Sequence, residues 1–125
     1  MRRFTALIVG FCGLLAFVAP SAAQQQKRIG IVTLQMKAPY FIAMVRALEA
    51  EGRANNVQTF VADGNGDVAK VNSDIEDLLA KGVDGLIMNI SPLEALPGGM
   101  AAIKKAGKPL VLVNRRLKGG EYDAW

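Results

Sequence analysis

Four short runs of Ile, Val and Leu, the first three each followed by a stretch with helically spaced apolar residues, constrain this chain more than any other feature. Arg28 to Leu34 is a continuous apolar run, the pattern of a strand buried on both faces, as parallel strands are. From Pro39, residues Phe41, Val45 and Leu48 recur at i, i+4 and i+7. That spacing predicts an amphipathic helix with a core-facing stripe, stopped near Asn55-Asn56. Val57 to Ala62 reads as a second strand and Asp63 to Asp67 as a turn with Asp67 as N-cap. Val68, Val71, Ile75, Leu78 and Leu79 then mark a second helix, ended by Gly82 just after Lys81. Asp84 to Ile90 is a third strand. Ser91-Pro92-Leu93-Glu94 has capping-box spacing, but Pro97-Gly98-Gly99 interrupts it, so a short turn and a helix over residues 98–106 are expected. Pro109 to Asn114 is the fourth strand, and from Gly119-Gly120 onward no pattern is clear.

Strands joined by helices cross over right-handedly and need cover on both faces, so the fold class is α/β, the beginning of a doubly wound parallel sheet. The expected spatial order is second, first, third, fourth. Ligands of such sheets bind outside the carboxyl ends of the strands. Residues 33–41, 63–67, 89–92 and 114–116 therefore form the edge where a site belongs.

Residues 1–23 are set apart from the fold. Arg2 and Arg3 give a positive start, Ala6 to Val18 is uncharged, and Ser21-Ala22-Ala23 offers small side chains to a signal peptidase. Pro20 and the polar tail break the apolar stretch early, which favours a cleaved leader over a membrane anchor. The single Cys12 lies in that leader, so residues 24–125 hold no thiol and must be held together by packing alone. They have room for one domain at most. The formal charge of +4 halves once Arg2 and Arg3 are removed, a balance that implies neither nucleic acid nor a membrane surface as partner.

Ala38-Pro39-Tyr40-Phe41, the segment from Asp74 through Ile87, and Pro109 through Arg115 together resemble the N-terminal lobe of periplasmic sugar-binding proteins of the ribose/galactose type, the type I periplasmic binding proteins. The likeness spans Lys27 to Leu117. It implies the substrate-binding component of an ABC-type importer, located in the periplasm, with a monosaccharide or polyol as solute. It also implies membrane permease subunits as partners, and a chemoreceptor, and no cofactor. Members have two hinged lobes that enclose the solute, so this chain is expected to be the larger part of one lobe, to leave its fourth strand as an open edge, and to bind sugar weakly by itself.

Six residues are candidates for sugar contact. Tyr40 and Phe41 lie about 100° apart on a helix; Phe41 continues the apolar stripe, leaving Tyr40 to stack on a pyranose face or simply to pack. Arg115 offers a fork of donors to adjacent hydroxyls, as the resemblance implies, or forms a solvated pair with Arg116. Asn114 contacts solute or caps a turn. Ala38 stands where relatives carry a polar residue, so Gln35 or Lys37 is expected to take over that partner. Thr33 ends the first strand and Asn89 the third, where each either reaches the cleft or satisfies loop backbone.

Two other motifs fail. Gly64-x-Gly66-x-x-Ala69 imitates a dinucleotide fingerprint, but Asp63 and Asp67 would repel a pyrophosphate and it follows the wrong strand. Asp63-x-Asn65-x-Asp67 imitates a calcium loop, but Val68 stands where the turn needs Gly. Without His, and with no Ser, Lys or carboxylate singled out by its neighbours, the chain is not expected to be an enzyme or to hold a metal. Two alternatives stay open: the effector-binding core of a LacI-type transcriptional regulator, and a non-functional truncated remnant.

Overall fold

Alternating strands and helices assemble as the periodicity predicts. The computed structural model describes residues 25–90, 95–114 and 123. Along them run β1 (Lys27–Thr33), α1 (Pro39–Ala54), β2 (Val57–Asp63), α2 (Val68–Ala80), β3 (Gly85–Asn89), α3 (Pro97–Ala106) and β4 (Leu110–Leu112). All three strand pairings are parallel and the order is β2-β1-β3-β4. The leader with Cys12, the capping-box residues Ser91 and Glu94, and Arg115, Arg116, Gly119 and Gly120 lie outside the described residues.

The two faces of the sheet are covered unequally. Alternate residues of each strand, Val32, Leu86, Met88, Leu110 and Leu112 among them, meet Val71, Ile75 and Leu78 of α2 and Ile103 of α3 in the main core. The opposite face holds α1, which approaches β2 so closely that a Cβ on Gly52 would meet Thr59 Cγ2 at 2.7 Å. Among α1 residues only Val45 and Gly52 are buried. The expected core stripe is therefore corrected: Phe41 and Leu48 are only half-buried. The reason is that, among the described residues, one helix lies over this face, and Ile87, Val111 and Val113 on it are half-buried too.

Helix ends follow local chemistry. Asp67 accepts the Ala69 and Lys70 N–H groups at 2.8 and 3.4 Å, as an N-cap should. Gly82 adopts φ +76°, and the Gly82 and Val83 N–H groups return to the Leu79 and Leu78 carbonyls, the Schellman pattern that only a left-handed residue closes. Asn56 takes the left-handed position after α1. α3 has no side-chain cap of its own; Asn72 of α2 supplies one, accepting the Gly99 N–H at 2.6 Å.

β4 is shorter than the run Pro109 to Asn114 suggested, because Asn114 turns to φ 72° and leaves extended geometry. Its outer edge is not wholly open. Val111 faces β3, so the polar groups of Leu110 and Leu112 point outward. Leu110 donates to Asp123 Oδ2 at 2.6 Å and accepts the Asp123 N–H at 2.8 Å. No bond to the outward groups of Leu112 is formed by the described residues.

Candidate functional site

Parallel pairing brings the carboxyl ends of all four strands to one edge, and the register fixes who stands beside whom. Thr33 of β1 sits opposite Asp63 on one side and Asn89 on the other. Met88 pairs with Leu112, which sets Val113 beside Asn89 and Asn114 just beyond. With strands about 5 Å apart, this row is the floor of the candidate site.

The loops above it are tied together. The loop after β2 crosses the end of β1, with Gly64 N–H donating to the Thr33 carbonyl at 2.9 Å and Gly66 N–H to the Leu34 carbonyl at 2.7 Å. Its acids are occupied internally: Asp63 accepts Asn65 N–H at 2.9 Å, and Asp67 caps α2. No cluster of three metal-ligating side chains occurs among the described residues. The side chain of Gln35 lies against Gly66, on the β2 side of the row.

The predicted contacts divide by exposure. Tyr40 presents half of its surface to solvent, 52 %, and its ring meets Phe41 edge to face at 5.3 Å, which restrains it without covering it. Asn114 is exposed. Thr33 is fully buried and its hydroxyl donates to the Gln35 carbonyl at 3.3 Å, so it shapes the loop. Asn89 is 7 % exposed, and its Nδ2 donates to the Met44 Sδ of α1 at 2.9 Å. Asn89 and Asn114 thus stand on the β3–β4 side of the edge and Gln35 on the β2 side, while Tyr40 lies near the start of α1, one turn before the Met44 that meets Asn89. Arg115 is outside the described residues.

Met44 is the member that sequence reasoning missed. It lies one helical turn after Tyr40 and three residues after Phe41, on the apolar face that Val45 and Leu48 continue, so its spacing reads as core packing and nothing local marks it as the partner of a strand-end amide. A separate depression between β2 and α2, lined by Asp63, Lys70, Asp74, Asp77 and Lys81, lies on the flank of the sheet. The Lys70–Asp74 ion pair at 2.6 Å occupies part of it.

Residues 29–125 match the family model described as periplasmic binding protein domain. The ribose import binding protein RbsB of Bacillus subtilis (strain 168) is 25 % identical over 103 residues, 82 % of this chain and 34 % of that protein. A probable HTH-type transcriptional regulator, EndR of Paenibacillus polymyxa, is 28 % identical over 108 residues, 82 % of this chain and 31 % of the regulator. Among solved structures, an ABC transporter solute binding protein from Mycobacterium smegmatis with bound glycerol superposes with a TM-score of 0.72 at 32 % identity, covering 76 % of this chain and 33 % of that one. The chain spans about a third of the length of these curated relatives. Among the described residues no helix is long and apolar enough to cross a membrane.

Proposed function

Because the chain belongs to the periplasmic binding protein domain family, we propose that it forms one jaw of a solute-binding protein, holding a monosaccharide or polyol for delivery to membrane permease subunits. Residues 1–23 act as its export leader, and the jaw works in the periplasm. It binds and does not transform its solute. The observation that carries the reading is the carboxyl edge: a half-exposed Tyr40 one helical turn before the Met44 that meets Asn89, with Asn114 exposed just past β4, in a chain similar to a ribose import binding protein. Tyr40 covers the apolar C–H face of the sugar while the amides, with Arg115 and Gln35, meet its hydroxyls. Thr33 acts behind them by fixing the Gln35 loop.

A single jaw makes only part of the contacts of a closed cleft, so affinity for the 125-residue chain falls in the millimolar range. The test is a titration of the isotope-labelled chain with D-ribose, xylitol and myo-inositol, followed by NMR. Saturable shifts at Tyr40, Asn89 and Asn114 for at least one of them support the reading; no response to any refutes it. A micromolar or tighter dissociation constant by calorimetry would show that one jaw suffices, and would refute the half-cleft account.

The likeness to a transcriptional regulator favours a second reading, an effector-binding core that works in the cytoplasm. Cell fractionation separates the two: a shortened chain released with periplasmic contents supports the importer, an intact chain in the cytosol the regulator.

A further inference from the structure

We infer that Met44 is a positioning residue for the solute edge: its thioether holds the Asn89 carboxamide with nitrogen inward and carbonyl oxygen outward, so that the wall offers the solute an acceptor. The inference rests on the solute-binding reading above. An asparagine amide has two orientations related by a flip, and its neighbours select one. Here the neighbour is a sulfur with lone pairs and no hydrogen, 2.9 Å from Nδ2. It can accept and cannot donate, so only the nitrogen can face it; the flipped amide would set oxygen lone pairs against sulfur lone pairs.

The remaining oxygen is placed by accounting for its partners. Among the described residues Asn89 makes one side-chain bond, through Nδ2. No fully buried side-chain oxygen or nitrogen among the described residues lacks a partner. Oδ1, which has no partner among the described residues, is therefore not fully buried in this 7 % exposed residue, and it stands at the carboxyl end of β3 where the proposed solute edge lies. The neighbouring Thr33 hydroxyl already donates to the Gln35 carbonyl. The preferred ligand group at this point is thus a hydroxyl giving its hydrogen. α1 serves the edge twice, presenting Tyr40 and, one turn on, fixing the amide that faces the same solute.

The test replaces Met44 in the full chain and reads the Asn89 side-chain amide by NMR, with D-ribose, xylitol and myo-inositol as probes. Met44→Leu is close in volume and removes the acceptor; Met44→Ala removes it with the best helix former, which covers the case of a poorly folded Leu variant; Met44→Gln restores an acceptor oxygen. The Leu or Ala chain is expected to keep a cooperative melt, to shift its Asn89 amide protons, and to bind the responding probe roughly three- to tenfold more weakly, the range for one lost neutral hydrogen bond. The Gln chain is expected to recover most of that loss. A Leu or Ala chain with wild-type amide shifts and wild-type affinity overturns the inference alone. A wild-type chain that ignores all three probes overturns the solute-binding reading, and this inference with it.

Discussion

Replacing Gly99 by Ala tests whether α2 and α3 dock as tightly as the structure shows. A Cβ at Gly99 would stand 2.6 Å from Ile75 Cδ1 and 3.1 Å from Asn72 Oδ1, and Ile75 is fully buried. Overpacking of that kind costs about 1–3 kcal/mol. Pushing Asn72 away also endangers its 2.6 Å bond from the Gly99 N–H, which contributes about 1 kcal/mol. The gain in helix propensity on changing Gly to Ala offsets about 1 kcal/mol. The net loss is about 1–3 kcal/mol, and in a domain of this size each 1 kcal/mol moves the midpoint by about 4–8 °C. Thermal circular dichroism should therefore show Tm lower by roughly 5–20 °C. Gly98→Ala is the matched control: its Cβ would lie 3.4 Å from Asn72 Oδ1, in ordinary contact, so its Tm should hold or rise by a few degrees. A Gly99→Ala chain melting with the Gly98→Ala chain would refute the packing argument.

Asp67→Ala removes the cap that accepts two N–H groups at the start of α2 and should cost about 0.5–2 kcal/mol in urea unfolding; a loss under 0.3 kcal/mol would mean that water substitutes for the cap. Tyr40→Ala should leave stability within about 0.5 kcal/mol, since half the ring is already solvated, while abolishing the sugar-induced shifts in NMR; unchanged shifts would remove Tyr40 from the site. Asp123→Ala strips the carboxylate from the Leu110 N–H and uncovers the β4 edge, so sedimentation should show more self-association with rising concentration than in the wild type; equal association would mean that the edge is protected by other means.

What the sequence made legible was whatever rests on local period and local caps. The apolar run of β1, the α2 stripe of Val71, Ile75 and Leu78, Asp67 before α2 and Gly82 after it all follow from neighbours within a few residues, and strand order followed from the short parallel crossovers. What it hid depends on chain far away in sequence. Asn72 caps α3 across 27 positions, Asn89 takes its sulfur from 45 positions upstream, and β4 stops at Leu112 because Asn114 turns out of the sheet. The site divided the same way. The carboxyl edge as the place to look followed from the parallel topology, and Phe41 on the apolar stripe pointed to the exposed Tyr40. That Thr33 is spent on a loop carbonyl and Asn89 is oriented by a thioether was not readable, because both depend on which side chains the sheet register and α1 bring together.

The unequal cover of the two faces joins stability to function. α2 buries Val71, Ile75 and Leu78 in the main core, whereas α1 buries only Val45 and Gly52 and leaves Phe41 and Leu48 half-solvated. Opening α1 therefore exposes less new apolar surface than opening α2, and local opening free energy follows that surface. Yet α1 is the helix that carries both Tyr40 and Met44, the two residues through which it would serve the proposed solute edge. Hydrogen exchange followed by mass spectrometry should find α1 amides exchanging well before those of α2, and a polyol bound as proposed, between Tyr40 and Asn89, should slow α1 selectively. If α1 proved as protected as α2 in the free chain, single-helix cover would not be what sets its stability. If α1 exchanged early but a saturating polyol left it unchanged, the solute would not be bridging α1 to β3, and the edge would have to bind through its loops alone.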